Sequence, residues 1–375
     1  MEKPIISLTA CSTYDSESVY KAVEKACLAA GFPNVSGKKI LLKPNILADV
    51  PPERAVTTHP EILRAAIQLV QKLGGTAYVG DSPTIQRSSF SGRKCGLKVV
   101  CDETGAIWVD FTDNPIKIKN ASQRKKNSFT LAKAVKECDM IISLPKMKTH
   151  QLMYMTGAVK NLFGLIPSLA KSPYHLLCPD RRRFADMLLD LYQTATPIFS
   201  IMDAVIAMEG PGPNSGTPKH IGLIMASPDA LALDFAASYI MGYTPELIPT
   251  VKQAIKRNLS SVQTIDTIEF PIDHPDKFRD ESYKRIDQGK ETGFLKTALG
   301  FLPHRSNSMH NEPKPLFNDD NCIGCGECVE ICPAKALTLV KGERVIPDYH
   351  KCIRCYCCHE VCQYDAITIE EKETV

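Results

Sequence analysis

CDMIISLPKMKTHQLMYMTGAVKNLFG, Cys138–Gly164, is the stretch on which the fold turns. Its first part, CDMIISLP, is a short apolar run closed by a proline, and it reads as a strand buried on both faces. The remainder carries Lys146, Lys148, His150, Lys160 and Asn161 and no acidic residue. A solvated helix face mixes charge signs. Cations gathered after a buried strand instead suit the carboxyl edge of a parallel sheet, where α/β proteins hold ligands.

The flanking sequence repeats the same strand–helix alternation. KPIISLTA reads as a strand and ESVYKAVEKACLAAG as an amphipathic helix stopped by Gly31. KKILLKPNI is a second strand. A helix with Ile62, Ala66, Leu69 and Val70 on one face follows, started by a capping box of Thr58 and Glu61 with Pro60 in the first turn. TAYVGDSP, IWVDFT, CDMIISLP, IFSIMDAV and HIGLIMAS continue the series, the last leading into a helix capped by Ser227. Repeated βαβ units predict an α/β domain over residues 1–270, a mostly parallel doubly wound sheet covered by helices.

Several predicted strand ends carry polar residues: Lys43 and Asn45, Asp81, Lys146 and Lys148, and Asp203. In a parallel sheet they share one edge. With Lys160 and Asn161 they suit a carboxylate or a phosphate, and N–H groups of a helix starting near Thr156 would add to the field. His59 and His150 titrate near neutrality and are candidate proton donors beside Lys146 and Lys160. The loop MDAVIAMEGPGPNSGTP offers Glu209, Gly210 and Gly212, where backbone approaches a ligand or simply turns. It is no P-loop, since G-x-x-x-x-G-K-[ST] is absent. Asp81, Asp203 and Glu209 are alternatively a divalent-metal set. Asp234, in an almost wholly apolar helix, is either a buried structural acceptor or a site residue, and the rarity of unpaired buried acids favours the first.

Of the 15 cysteines, nine fall within Cys322–Cys362. CIGCGECVEICP supplies Cys322, Cys325, Cys328 and Cys332; CIRCYCCHEVCQ supplies Cys352, Cys355, Cys358 and Cys362. Both runs have the spacing C-x-x-C-x-x-C-x-x-x-C, in which the fourth cysteine of each run ligates the other cluster. That rule assigns Cys322, Cys325, Cys328 and Cys362 to one 4Fe-4S cluster and Cys352, Cys355, Cys358 and Cys332 to a second. Gly324 and Gly326 let the backbone wrap a cluster and turn N–H groups toward sulfur. Paired zinc sites are the alternative. ICPAKALTLV is echoed by VCQYDAITIE, so each half is a ligand loop, a short helix and a strand. The tail, residues 317–375, resembles the 2×4Fe-4S ferredoxins, small α+β electron carriers. It departs from their pattern at Gln363, where a proline is usual, and at the extra Cys357.

The charge differs between the parts. From Phe317 onward 11 Asp and Glu face 6 Lys and Arg, whereas the first 316 residues hold 31 against 39. A modestly basic body without a nucleic-acid motif argues against a nucleic-acid partner. The first residues lack the long apolar core of a signal peptide, and no uncharged apolar segment reaches the roughly 18 residues needed to cross a bilayer. A cytoplasmic chain with no membrane partner is expected, and in that compartment cysteines bind metal more often than they form disulfides. Residues 271–316, charged and then rich in Pro, Asn and Ser, read as a linker.

KPN at Lys43–Asn45, TTHPE at Thr57–Glu61, GDSP at Gly80–Pro83, PKMKTH with GAVKNLFG, and MDAVIAMEGPGPNSG together resemble the family named domain of unknown function 362, often fused to a 2×4Fe-4S ferredoxin module. The resemblance implies the architecture and marks site residues, and it names no substrate. The expected function is an iron–sulfur oxidoreductase: an electron donor or acceptor protein exchanges electrons through the clusters with a small anionic substrate in the α/β body. One alternative is an electron carrier whose body docks a partner oxidoreductase. Another is a chain whose clusters are structural or sense oxygen.

Overall fold

A computed structural model describes residues 3–83, 92–122, 128–287, 312–340 and 343–370. The first half of the body runs β1 (Ser7–Ala10), α1 (Ser16–Ala29), β2 (Lys39–Pro44), α2 (Pro60–Lys72), β3 (Thr76–Val79), α3 (Leu97–Thr104) and β4 (Ile107–Trp108). A small hairpin of β5 (Ile116–Lys119) and β6 (Ser128–Leu131) precedes α4 (Ala134–Glu137). Then come β7 (Met140–Leu144), β8 (Lys146–His150), β9 (Tyr154–Thr156), α5 (Ala158–Asn161), α6 (Ser172–Leu177) and α7 (Arg181–Ala195). The long strands β10 (Phe199–Glu209) and β11 (Thr217–Ser227) and the helices α8 (Ala230–Ile240) and α9 (Pro249–Lys256) complete it.

One sheet organises these elements, in the order β1-β11-β10-β7-β2-β3-β4, with β8 also paired to β10 and β9 to β8. The strands from β4 to β10 are parallel, while β1, β11 and β9 run antiparallel to their neighbours. The mostly parallel α/β sheet expected from the sequence is therefore present, with an antiparallel edge. From β2 the chain moves one way to β3 and β4, and from β7 the other way to β10 and β11. The order switches between β2 and β7, where Lys43 lies opposite Ser143. Ligands of open α/β sheets bind at such a switch, beyond the carboxyl ends of the strands.

Alternation along the strands feeds two cores. Ile40, Leu42, Ile142 and Leu144 pack with Val19 and Val23 of α1 and Ile62 and Leu69 of α2. Leu41, Ile141 and Met202 pack with α5, α7 and α8 on the other side. Two helix starts differ from expectation. His59, not Thr58, caps α2, its Nδ1 accepting from Glu61 N at 3.2 Å. Thr58 instead donates to Leu144 O and accepts from Asn45 N, tying the end of β2 to β7. Asp229, not Ser227, caps α8, because its carboxylate reaches the N–H groups of both Leu231 and Ala232.

Residues 271–287 of the expected linker lie along the body: Tyr283 O–H donates to Met208 O at 2.7 Å and Ile286 N to Tyr243 Oη at 2.9 Å. The rest of it, to 311, falls outside the described residues. The tail consists of β12 (Pro315–Phe317), α10 (Glu327–Ile331), β13 (Leu337–Val340), β14 (Arg344–Pro347), α11 (Cys357–Val361) and β15 (Ile367–Ile369). β12 pairs with β15 and β13 with β14, both antiparallel. The two halves repeat in backbone as well as sequence. Left-handed residues occur at Gly324, Gly326 and Lys335 in the first half and at Arg354, Tyr356 and Asp365 in the second. No described helix is long and apolar enough to cross a membrane.

Candidate functional site

The sequence motifs converge where β2, β3 and the segment after β9 meet. Lys43, completely buried, pairs with Asp81 at 2.8 Å and also donates to Pro44 O and to Asn161 Oδ1. Asp81 in turn accepts from Ile46 N and Ser82 N, which fixes the turns after β2 and β3. Asn161 donates to Lys43 O and Ser143 Oγ, so one amide links both strands at the switch. Burial lowers the Lys43 ammonium and the Asp81 charge opposes it.

GAVKNLFG is shaped by close approach. A Cβ on Gly164 would sit 2.0 Å from Asp81 Oδ1 and 2.6 Å from Lys43 Nζ; on Gly157 it would sit 2.1 Å from Asp234 Oδ1. The second gap lets Asp234 reach across from α8 and accept from Ala158 N and Val159 N. Asp234 is thus the cap of α5, with its carboxyl pushed up to about 7 by burial against the pull of those N–H groups. The N–H groups expected to serve an anion are already used. Lys160 and Asn161, one turn on, line the cavity.

That cavity, about 550 Å³ counted to its open mouth, lies between the body and the tail. Lys43, Asn45, Asp81, Lys160 and Asn161 line it as the motifs imply, joined by Ser82, Thr156, Lys171 and His175. The tail contributes Ile331, Cys357 and Glu360. Lys171 donates to Ser82 O and Pro83 O, and burial lowers its ammonium to about 7. His150 stands behind the wall. Its Nδ1 accepts from Leu152 N and Met153 N, so the proton sits on Nε2, which faces Glu360 Oε1 at 2.9 Å. Burial holds His150 down at about 4, hence neutral. Burial alone would raise Glu360, but His150 and Lys160 hold its carboxyl well below the usual range.

Other expected site residues lie elsewhere. Lys146 pairs with Asp203 at 2.8 Å and donates to Tyr14 Oη at 2.9 Å. His59 stacks on Tyr14 with ring centroids 3.4 Å apart, and its N–H donates to Asp203 Oδ2. Neither residue lines the cavity. Lys148 spends its ammonium on Val56 O at 2.6 Å. Glu209 accepts from Lys284 N, and Gly210 N donates to Lys284 O. Gly212 lies so close to β8 that a Cβ would meet Thr149 O at 2.3 Å. Farther along this loop Asn214 donates to Cys362 O, while Arg54 reaches Gln363 O and Asp365, so this corner of the body grips the tail. Asp81 and Asp203 each hold a lysine, and no three His, Cys, Asp or Glu side chains converge as for a metal ion among the described residues. The divalent-metal alternative fails on that geometry.

In the tail, Cys322, Cys325, Cys328 and Cys362 surround one cavity, with Phe317, Ile323, Val345 and Ile367 around them. Cys332, Cys352, Cys355 and Cys358 surround another, with Ala336, Leu337 and Pro347. A zinc ion draws four thiolates onto one point, whereas a cubane spreads them because each binds a different iron. The described sulfurs ring cavities without converging on one ion, and Ala336 N donates to Cys332 Sγ at 3.2 Å. The residues present fit an iron–sulfur cubane.

The family model described as domain of unknown function (DUF362) matches residues 40–239. The chain belongs to the DUF362 family. A 4Fe-4S binding domain matches residues 315–338, so the DUF362 body carries an iron–sulfur module of ferredoxin type. A thylakoid-associated protein of Synechocystis sp. is 35% identical over 249 residues, 66% of this chain and 76% of that protein. Ferredoxin-2 of Desulfomicrobium norvegicum is 47% identical over 30 residues, 8% of this chain and 51% of that ferredoxin. Among solved structures, the lactate racemase apoprotein of Thermoanaerobacterium thermosaccharolyticum aligns with TM-score 0.42 at 13% identity, over 64% of this chain and 57% of that one.

Lys171, His175, Thr156 and Glu360 lie outside the motifs of the body, and sequence reasoning missed them; Ser82 lies within GDSP but only its neighbour Asp81 was singled out. Cys357 was visible only as an extra cysteine.

Proposed function

We propose that this DUF362 protein is an iron–sulfur oxidoreductase whose module holds two 4Fe-4S clusters and whose substrate, a small anion, binds in the cavity between body and module. One observation carries the reading: Cys357, between Cys355 and Cys358, lines both the second cysteine cavity and the anion cavity. Clusters held by these thiolates would supply or accept electrons singly.

The body supplies charge, orientation and protons. Lys160 presents its ammonium to the anion, while Lys43, neutralised by Asp81, braces the floor. Lys171, lowered to about 7, is a proton donor matched to neutral pH. His150 keeps Glu360 ionised and turned toward the cavity. The first cysteine cavity opens outward, with Cys325 exposed and Ile323 58% exposed, and this supports an electron-transfer partner docking there. Thiolate ligands need a reducing compartment, which favours the cytoplasm; the thylakoid-associated relative directs attention to a membrane surface as well.

Anaerobically reconstituted protein should hold about eight iron and eight labile sulfide per chain, the content of two cubanes. Electron paramagnetic resonance titration should then show a low-potential couple whose midpoint moves when acetate is added. Lys160→Gln should keep the iron and lose that movement. About four iron per chain would reject the second cluster, and a midpoint indifferent to acetate in both proteins would reject the coupling.

A further inference from the structure

Apart from Glu360 Oε1, which faces His150 Nε2 at 2.9 Å, three buried polar atoms on cavity-lining residues have no hydrogen-bond partner among the described residues: Asn45 Oδ1, Thr156 Oγ1 and His175 Nδ1. Thr156 is 2% exposed and His175 6% exposed. Leaving such an atom unpaired forfeits the hydrogen bonds it made to water in the unfolded chain. Three around one cavity therefore mark hydrogen bonds that a ligand completes. Lys160 adds an amine with no carboxylate within ion-pair distance among the described residues; burial disfavours its ammonium form and Glu360, at longer range, favours it, so a bound anion would supply the missing counter-charge.

The chemistry of these atoms restricts the ligand. Lys160 and Thr156 offer hydrogens, while Asn45 Oδ1 and the Glu360 carboxylate offer only lone pairs. His175, kept neutral by burial, offers one of each. A ligand satisfying the set accepts at one end and donates at the other. Charge narrows it further. Asp81 cancels Lys43, Glu360 opposes Lys160, and no arginine lines the cavity among the described residues. A phosphoryl dianion would set its second charge against Glu360 with no guanidinium fork among the described residues to hold it. Ile46, Leu47, Phe163 and Ile331 leave an apolar wall for a short carbon chain.

Building on the anion-cavity reading above, we propose that the ligand is a small monocarboxylate bearing a hydroxyl or amino group beside its carboxylate. The carboxylate meets Lys160 and Thr156, and the neighbouring donor meets Asn45 Oδ1.

Anaerobic calorimetry on the oxidised holoprotein tests this with glycolate and acetate, equal in charge and different by one hydroxyl. Glycolate should bind at least about tenfold tighter, the value of one hydrogen bond to a buried acceptor. Asn45→Ala should erase that preference by weakening glycolate alone. Lys160→Gln should weaken both about tenfold or more, with Lys160→Met as a second variant if iron content or circular dichroism shows that the first misfolds. Glycine in place of glycolate tells an amino donor from a hydroxyl. Equal affinity for acetate and glycolate would overturn the proposal. So would unchanged binding in the Lys160 variants, no saturable binding of any probe, or tighter binding of inorganic phosphate than of glycolate. The redox reading stands apart: if glycolate binds as expected and leaves the cluster midpoint unmoved, the ligand class holds and the redox coupling falls.

Discussion

Two buried lysine–aspartate pairs in the DUF362 body share a geometry and differ in their surroundings. Lys43–Asp81 and Lys146–Asp203 are both 2.8 Å apart, with every side chain at most 2% exposed. Around the second pair the network is saturated. Asp203 accepts from Tyr14, Lys146 and the N–H groups of His59 and Val205, and Tyr14 Oη accepts from Ile206 N as well. The first pair forms the floor of a cavity whose other walls hold unpartnered atoms. A saturated pair fastens elements together, here the starts of α1 and α2 to β8 and β10. A pair beside unmet hydrogen bonds braces a site.

Breaking the fastener should give the largest effect. Asp203→Ala leaves Lys146 buried without its counter-ion and should cost about 3–5 kcal/mol, measured by denaturant unfolding of the holoprotein. Glycolate affinity of the folded fraction should stay unchanged. A loss below about 1 kcal/mol would be too small for an uncompensated buried charge and would erase the distinction between the pairs. Gly164→Ala strikes the brace instead. Its Cβ would intrude on Asp81 and Lys43 at 2.0 and 2.6 Å. Overpacking of this kind should cost about 1–3 kcal/mol and weaken glycolate as well. Unfolding and calorimetry on the same sample separate the two outcomes.

How much of this was legible follows from the period of a strand. KPN, GDSP and GAVKNLFG were readable because parallel strand ends and the following loop must share an edge. The side each lysine takes was not readable from position at that edge alone. Lys43 and Ser143 fall on the side of Leu41 and Ile141, toward α5. Beyond Pro145 it is Met147 that enters that core, and Lys146 turns to Tyr14 and Asp203. One residue of offset separates a cavity lysine from a fastening one. The sequence makes His59 a candidate proton donor, but its Nδ1 is committed to the α2 cap and burial lowers it to about 4. Glu360 was hidden inside a cysteine run whose spacing dominates any reading. The second half of the module also conceals its backbone need: Arg354 and Tyr356 adopt the left-handed conformation that Gly324 and Gly326 adopt cheaply. Tyr356 O–H compensates by donating to Pro313 O.

A smaller effect sharpens the cavity side of the comparison. Burial lowers Lys171 to about 7, with Lys43 and Lys160 adding to the shift and Asp81 opposing it. Below pH 7 the ammonium is charged and favours an anion; as pH rises through 7 the proton leaves and the attraction fades. Glycolate affinity should therefore fall several-fold between about pH 6 and 8, the scale of one partly screened charge. In Lys171→Met that step should shrink to the share of Asp234, whose carboxyl is also held at about 7 beneath the segment that carries Lys160. The histidines give no step in this window, since burial holds His150 and His175 at about 4.

The smallest predicted change separates a fastener from a site most cleanly. Tyr14→Phe removes one O–H that donates to Asp203 Oδ1 at 2.7 Å and accepts from Lys146 Nζ at 2.9 Å. Lys146 and Asp203 remain joined, and His59 N–H still reaches the carboxylate, so no charge is stranded. Ile206 N–H loses its acceptor as well, so the loss should be about 1–2 kcal/mol in denaturant unfolding, still below that of a stranded charge. Because Tyr14 is absent from the cavity wall, glycolate binding should be identical to that of the parent protein. Lys160→Gln should behave in reverse, since it removes an ammonium with no ion-pair partner among the described residues, leaving stability level or higher while binding weakens. If Tyr14→Phe weakened glycolate and Lys160→Gln did not, the anion site would belong beside Lys146 and the cavity would be the structural element.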